Sequence, residues 1–551
     1  MSAVAAAEPR AATRAGRGLP PWWPLAALIV LAAALRLATL TEQGFWYDEA
    51  FTPVHVFHSG LGATLRSVVH SENTPPLWYV LAWVDVRLFG DGALALRLPS
   101  ALAGIATVPV VWALGSELAG RRTGLIAAAL VAVNPLFVWY SQEARAYSLF
   151  VLFSALAMLC FARLLHEPSR KRALGFALSG ALALLTHYFA VFLLLPMALL
   201  LLREKASRRF VLPALGVIAL VGLALLPLIS AQGGHGTQWI GRWALSSRLQ
   251  AIPQYFLTGY SGAPLGHGVE LLVALPMIIG ALLGGWRLLA AGRMASSLRA
   301  GAWISFAIAA FAVLAPIVLA VLGADYLAPR NLVGAMIPVS VLVAILFAAV
   351  DSEAGHAVGD RARAGASAGA GAGAAKRRLP LGAMLAAASV AASLAISLDV
   401  DASPRLQRGN WRDVAKLLRA PTEGRVITTV ELGAAPLEYY LHAQMHLRNL
   451  SSHDAVSISE IDETGYSPLR KGAAEAPAPG FRLLERRNVD GLFVYRFVSS
   501  IPRTVSEADL RRHVITPAHP EVLVPSGADV VRLAARTGSL RLQMSSSDQN
   551  I

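Results

Sequence analysis

The segment PLWYVLAWVDVRLF, from Pro76 to Phe89, decides how this chain is threaded through a membrane. It is apolar but short, and Asp85 and Arg87 interrupt it. A helix needs about 20 predominantly apolar residues to cross a hydrocarbon core roughly 30 Å thick. We therefore predict that this segment is a juxtamembrane helix lying at the interface, and not a span.

The basic residues on either side of this segment agree with that interpretation. Arg10, Arg14 and Arg17 precede the first predicted span, Pro21 to Leu40, so the N-terminus is expected in the cytoplasm. When the segment from Pro76 to Phe89 is kept out of the bilayer, about 11 spans follow and the Lys/Arg-rich loops face the cytoplasm. The predicted fold class is an α-helical polytopic membrane protein.

Composition supports this class and excludes others. The 551 residues are 55% hydrophobic and 15% charged, whereas soluble chains carry about 25% charged residues. The net charge of +14 resides in short loops between apolar segments, so we expect no nucleic-acid partner. One cysteine, Cys160, excludes a disulfide framework and a cysteine-based zinc site.

Shifts in composition predict the division of the chain into domains. The predicted parts are a disordered cytoplasmic N-terminus (1–20), a transmembrane domain (21–350) whose first outer loop is 41–97, a Gly/Ala-rich cytoplasmic linker (351–378), a last span (379–398), a small extracytoplasmic α/β domain (399–505) and a weakly structured tail (506–551). Within the α/β domain we predict strands at Arg425 to Val430 and Gly491 to Phe497. Helices are predicted at Trp411 to Leu418 and Ala434 to Leu441.

Under this topology, four groups of polar residues fall on the outer side. They are Tyr47, Asp48 and Glu49; Glu143 and Arg145; His187 and Tyr188; and Asp325 and Arg330. Each group has an ordinary structural explanation, namely an aromatic belt with solvated acids, a structural ion pair, or a packed core histidine. Together they indicate a cavity where a carboxylate acts as general base and an arginine binds a phosphate.

The order and spacing of these motifs resemble the GT-C superfamily of polyprenyl-phosphate-sugar-dependent glycosyltransferases. Its family 39/83-like members include protein mannosyltransferases, lipid A aminoarabinose transferases and lipopolysaccharide galacturonosyltransferases. The resemblance rests on Asp48-Glu49, Thr74-Pro75-Pro76-Leu77, Arg97-Leu98-Pro99-Ser100 and the segment from Tyr140 to Arg145, and it covers roughly Trp22 to Val350. Asn73-Thr74 departs from the family pattern before the prolines.

The resemblance implies an inverting sugar transfer at the outer face of a bacterial cytoplasmic membrane. The donor would be a polyprenyl-phosphate-linked sugar in the membrane lipid, and the acceptor an envelope glycan, lipid or protein. Asp48 would be the base, Arg145 and Arg330 would bind the donor phosphate, and Glu143 would orient Arg145 or the acceptor. Glu49 and His187 would have secondary roles. No cofactor is assigned; a divalent metal is compatible with the family, but its ligands are unknown.

Three other functions fit some of these features. A polytopic transporter or flippase of lipid-linked substrates also has many spans and intramembrane charges, but the chain shows no internal repeat. A polymer ligase would concentrate arginines in a late outer loop, and the loop from Ser230 to His267 contains only Arg242 and Arg248. A purely structural assembly subunit would not need Asp48 or Glu143.

Overall fold

The structure, a computed structural model, describes residues 22–233, 237–259, 266–290, 296–352, 380–418, 424–441, 446–513, 515–516, 519–526, 528 and 530–532. A bundle of helices is followed by a domain built around a β-sheet. The predicted N-terminal segment 1–20 lies outside the described residues, as does nearly all of the predicted linker 351–378.

The helices of the bundle are α1 (Trp23–Leu37), α2 (Tyr47–Val56), α3 (Leu61–Ser71), α4 (Leu77–Phe89), α5 (Ala93–Ala119), α6 (Arg121–Val133), α7 (Pro135–Ser141), α8 (Tyr147–His166), α9 (Arg170–Thr186), α10 (Val191–Arg203), α11 (Arg208–Gln232), α12 (Gln238–Arg242), α13 (Leu245–Thr258), α14 (His267–Ala290), α15 (Ser296–Val321), α16 (Met336–Val350) and α17 (Leu381–Ala402). Short 3₁₀ segments, Tyr188–Ala190 and Pro329–Ala335, precede α10 and α16.

Among the described helices, 7 are long and apolar enough to cross a membrane: α5, α8, α11, α14, α15, α16 together with its 3₁₀ segment, and α17. The bent pair α6–α7 would be an eighth, and α1 and Tyr188–Arg203 are shorter apolar helices. The chain is therefore a multi-pass membrane protein, as predicted; the count of about 11 spans remains a prediction. Helix α4 has 13 residues, so it is too short to cross and fits the predicted juxtamembrane helix.

A proline separates α6 from α7, and a buried arginine binds backbone carbonyls at the end of α6. Pro135 has no N–H to offer the preceding turn, and the two helices bend by 59°. The side chain of Asn134 caps α7 by accepting hydrogen bonds from two of its backbone N–H groups. Arg36, on α1, donates to the freed carbonyls of Val131 (3.3 Å) and Ala132 (2.8 Å). The break thus fixes the direction in which the chain enters the α7–α8 turn.

One of two predicted segments of the bundle has the expected structure, and the other differs from it. The apolar stretch from Ala173 to Leu202 forms two short helices that meet at His187, as predicted. The outer segment from Ser230 to His267 was predicted to be a loop, but it contains α12 and α13. Helix α13 forms because its apolar residues recur at helical spacing, and it buries Ile252 against the 3₁₀ segment Pro329–Ala335.

The C-terminal domain contains α18 (Trp411–Leu417), β1 (Arg425–Thr429), α19 (Ala434–Leu441), β2 (Leu447–Asn449), β3 (Asp454–Tyr466), β4 (Arg482–Val489), β5 (Leu492–Ser506), α20 (Glu507–Arg512), β6 (Glu521–Pro525) and β7 (Val530–Arg532). The strand order is β2-β6-β1-β3-β5-β4, with β7 against β3. Strands β1 and β3 are parallel and the other pairs are antiparallel. The four elements predicted for this domain are all present.

The end of this domain differs from the prediction. Residues 506–551 were predicted to form a weakly structured tail, yet β6 lies inside the sheet between β1 and β2. The sequence Glu521–Pro525 is too short to give a strong strand signal by itself. Its Val522, Leu523 and Val524 are buried, so the neighbouring strands, and not local propensity, order it. The domain therefore extends beyond residue 505.

The C-terminal domain and the segment predicted to be the first outer loop (41–97) share a hydrophobic core. Trp46, just before α2, packs with Trp411 and Val414 of α18 and with Leu437 and Leu441 of α19. The hydroxyl of Tyr440 also accepts a 2.6 Å hydrogen bond from the backbone N–H of Phe45. This docking places the start of α2 between the bundle and the C-terminal domain.

Candidate active site between the first outer loop and the bundle

The predicted acidic pair lies in the first turn of α2. Asp48 and Glu49 are both buried there. A helix N-terminus favours negatively charged side chains, because it has unpaired backbone N–H groups and is the positive end of the helix dipole. The two side chains nevertheless have different partners, so Asp48 and Glu49 are expected to have different roles.

Glu49 is held by a buried arginine. Its carboxylate accepts hydrogen bonds from Arg97 Nε and Nη2 at 2.6 and 2.7 Å, and both side chains are at most 1% exposed. Arg97 also donates to the carbonyls of Leu40, Gln43 and Gly44. Such a bidentate pair fixes geometry strongly. Glu49 also accepts a hydrogen bond from the backbone N–H of residue 144, so it joins α2, α5 and the α7–α8 turn.

Asp48 faces the other way, toward the 3₁₀ segment before α16. Its Oδ2 accepts a 3.1 Å hydrogen bond from Nη1 of Arg330. The Arg330 side chain is 19% exposed, more than the 7% of Asp48. A candidate base and a candidate phosphate ligand therefore contact each other, although 282 positions separate them in the sequence.

Arg145, the second predicted phosphate ligand, pairs with an acid of the first outer loop. Its Nη1 donates to Glu72 at 3.0 Å and to the Tyr79 hydroxyl at 2.9 Å. Burial raises the pKa of Glu72, but the charges and hydrogen bonds of Arg145 and His55 together outweigh it and lower this pKa to about 2. The charge of Arg145 is thus largely balanced within the protein, whereas the partly exposed Arg330 is more accessible to an anion.

Glu143, in the turn between α7 and α8, is fully buried, and no described residue donates a hydrogen bond to either carboxylate oxygen. Its ion-pair partner is Arg408, whose Nη2 lies 3.8 Å from Oε2. Burial raises the pKa of Glu143, since the charged form loses its hydration, while Arg408 opposes that shift. The neighbouring Tyr140 hydroxyl is likewise buried without a hydrogen bond to a described residue.

The two residues of the predicted His187-Tyr188 motif separate. The ring of His187 stacks on Phe150 at 4.7 Å, and its Nδ1 accepts a hydrogen bond from the backbone N–H of Phe189. Burial, together with the charges of Arg145 and Arg330, lowers the pKa of His187 to about 3. Tyr188 points away and donates to Gln232 at the end of α11.

Two other candidates lie apart from the carboxylates. Tyr47 packs against Trp46 and belongs to the core shared with the C-terminal domain. Asp325 accepts hydrogen bonds from Arg248 at 2.6 and 2.7 Å, which connect α13 to the loop before α16. These bonds to Arg248 lower the pKa of Asp325. Their observed contacts are those of packing and loop anchoring.

No role in the site was predicted from the sequence for three of the residues that complete this arrangement: Glu72, Arg408 and Arg97, which was named only as part of a family motif. Arg97 could have been found, because an arginine at the start of an apolar span is costly unless it is paired. Arg408 follows the last span and carries no local signal. With these residues the site contains four acids (Asp48, Glu49, Glu72, Glu143) and four arginines (Arg97, Arg145, Arg330, Arg408).

Among the described residues there is no group of three or more His, Cys, Asp or Glu side chains arranged to hold a metal ion. The acids of the site are instead paired with arginines. This donor set does not fit a metal centre, so no metal ligands are assigned.

Comparison with known proteins gives one family match and one relative of similar description. Residues 73–230 match the family described as dolichyl-phosphate-mannose-protein mannosyltransferase. A putative mannosyltransferase of Bacillus subtilis (strain 168), YkcB, is 25% identical over 222 residues. That match covers 37% of this chain and only 30% of the relative's length.

The fold is similar to that of a solved membrane enzyme. The structure of ArnT from Cupriavidus metallidurans bound to undecaprenyl phosphate matches with a TM-score of 0.50 and 12% identity. The match covers 87% of this chain and 98% of that one. The apo structure of the same protein gives a TM-score of 0.49 at 12% identity. Residues 73–230 are thus similar to this mannosyltransferase family, and the chain shares the fold of the ArnT structure bound to undecaprenyl phosphate.

Proposed function

We propose that this chain transfers a sugar, with inversion, from a polyprenyl-phosphate-linked donor to an envelope acceptor at the outer face of a bacterial cytoplasmic membrane. The observation that carries the proposal is the 3.1 Å contact between Asp48 and Arg330. It joins a carboxylate and a guanidinium at one end of an apolar helical bundle. The family match and the undecaprenyl-phosphate complex of a protein with this fold support a lipid-linked donor.

The contact suggests how the reaction starts. Arg330 leaves Asp48 and binds the donor phosphate. In a site sheltered from water, the guanidinium can donate two hydrogen bonds to the phosphate, whereas it donates one to Asp48. Asp48, freed from its partner, accepts the proton of the acceptor hydroxyl. The acceptor oxygen attacks the anomeric carbon from the face opposite the phosphate, and the bond from that carbon to the phosphate oxygen breaks. Polyprenyl phosphate leaves, and the configuration at the anomeric carbon is inverted.

The other acids have supporting roles in this proposal. Glu49 stays paired with Arg97 and keeps Asp48 in position. Glu143, whose carboxylate oxygens accept no hydrogen bond from the described residues, accepts one from the acceptor or the sugar. Arg145 contributes positive charge near the phosphate while it remains paired with Glu72.

A transfer assay tests the proposal directly. Purified protein would be given a panel of polyprenyl-phosphate sugars with envelope lipid, glycan and peptide acceptors, and the products identified by mass spectrometry. Asp48→Asn should lower the rate by roughly 10²–10⁴-fold, the usual contribution of a general base. Glu42→Gln, which changes an exposed acid of the same loop, is the matched control and should leave the rate unchanged. Full activity of Asp48→Asn would rule out the base assignment.

A further inference from the structure

The chain that follows the last span returns to the active site. After α17 it runs through residues 403–410 to α18, and this strap carries Arg408 into the space beside Trp139 and Glu143. Arg408 is 5% exposed as a residue, and its side chain is 1% exposed. A fully buried guanidinium is costly unless it is paired, so its position needs an explanation.

Three contacts fix the guanidinium of Arg408. Its Nη1 donates to Gln43 Oε1 at 3.1 Å, and the backbone N–H of the same residue donates to the same oxygen. Its Nη2 donates to the carbonyl of Trp139 at 2.9 Å, and the guanidinium stacks over the Trp139 ring at 4.1 Å. These contacts position the guanidinium but leave its charge without a carboxylate in hydrogen-bond contact.

The acid nearest to this charge is Glu143, 3.8 Å away. Glu143 has no hydrogen-bond donor among the described residues, so its charged form depends on nearby cations. The groups that face it are Asp48 and Glu49 from α2, Arg97 from α5, Tyr140 from α7, Arg145 from its own turn, Tyr147 from α8 and Arg408 from the strap. Arg97 and Arg145 are already paired with other acids, which leaves Arg408 as its closest compensating charge.

We propose that Arg408 is a positioning residue that favours the ionised form of Glu143 in the reaction, so that the strap to the C-terminal domain is part of the active site. The inference rests on the proposed sugar transfer. It assigns a role in that reaction to a residue outside the transmembrane catalytic domain. Arg408 itself acts through Glu143 and needs no contact with substrate.

The test is the pH dependence of kcat in the full-length protein. An opposite charge within about 4–6 Å lowers the pKa of an acid by about 1–3 units. Arg408→Gln should therefore move the acid limb of the kcat profile upward by about 1–3 pH units, with a smaller change in KM. Activity should recover at higher pH, and Arg408→Lys should restore the limb.

Two control variants separate charge from structure. Arg405→Gln removes an exposed arginine from the same strap and should leave the profile unmoved. Gln43→Ala removes a hydrogen bond to Arg408 but keeps its charge, so it should also leave the acid limb in place. An unmoved limb in Arg408→Gln, or an equal shift in Gln43→Ala, would overturn the inference.

A double variant covers the case in which Arg408→Gln does not fold. Arg408→Met combined with Glu143→Gln removes both buried charges and should be tolerated better than one alone. If Arg408 acts through Glu143, the double variant should be as active as Glu143→Gln alone, and a further fall of tenfold or more would contradict this. Absence of transfer by the wild-type protein would instead remove the proposed function itself.

Discussion

Two buried clusters in this chain both consist of arginines and carboxylates, but they differ in how closely the charges are paired. In the C-terminal domain, Arg425 and Arg496 each lie 3.0 Å or less from both Glu460 and Asp462. In the candidate active site, Glu143 lies 3.8 Å from its arginine and has no hydrogen-bond donor among the described residues. The first arrangement places two arginines within 3.0 Å of each acid, and the second leaves one carboxylate without a hydrogen-bond donor among the described residues.

The difference follows from what each cluster joins. Arg425 and Arg496 also donate to the carbonyls of Leu418 and Leu417, at the end of α18. The C-terminal cluster therefore connects a helix end to the sheet, and every contact supports the fold. The cluster in the candidate active site contains a buried acid with no hydrogen-bond donor among the described residues, which is a feature expected of a group kept for chemistry.

The largest expected effect is on activity, from Glu143→Gln. If Glu143 binds substrate, transfer should fall by roughly 10²–10⁴-fold. The thermal unfolding midpoint should fall less than in Arg425→Ala, because Glu143 loses a 3.8 Å ion pair with Arg408 but no hydrogen bond. Activity and unfolding would be measured on the same preparation. Glu167→Gln, whose side chain is 76% exposed, is the control; equal activity of the two variants would contradict the comparison.

The C-terminal cluster should respond in the opposite way. Arg425→Ala leaves Glu460 and Asp462 with one arginine fewer, and breaking a buried ion pair costs about 3–5 kcal/mol. We expect the C-terminal domain to unfold at lower temperature, as measured by limited proteolysis on heating. Any fall in transfer should follow the loss of folded protein. Arg487→Ala, on the exposed side of β4, should behave like the wild type.

A smaller, pH-dependent effect is expected at His513. A hydrogen bond with Glu463 raises the pKa of His513. The stabilisation is therefore fully present below the unfolded value of about 6.5 and is lost as pH rises through the higher folded pKa. Because His513 is partly exposed, the effect should be about 1 kcal/mol or less. Domain stability measured from pH 6 to 9 should decline less in His513→Gln, whereas the exposed His453→Gln should keep the wild-type slope.

The smallest effect on stability and transfer is expected from an ion pair between the helical bundle and the C-terminal domain. Arg242 of α12 and Glu431 form a 2.9 Å ion pair in which both side chains are close to half exposed. Exposed pairs contribute roughly 0–1 kcal/mol, so Arg242→Ala should change neither the unfolding midpoint nor transfer by a measurable amount. A loss similar to that of Arg408→Gln would show that surface charge, and not the buried strap, couples the domains.

The sequence by itself determined the membrane class, the short helix α4, the hairpin at His187 and the four predicted elements of the C-terminal domain. These depend on local hydropathy and periodicity, which a single segment contains in full. It also indicated Asp48, Glu143, Arg145 and Arg330, because charges beside apolar spans are costly and stand out.

Only the tertiary structure decided which charges meet. Arg330 contacts Asp48, Arg97 pairs with Glu49, and Glu72 takes Arg145. Arg408 reaches Glu143 from beyond the last span. Such pairings depend on how distant helices pack, and no local pattern encodes them. The same reason explains β6, whose short strand is ordered by its neighbours in the sheet.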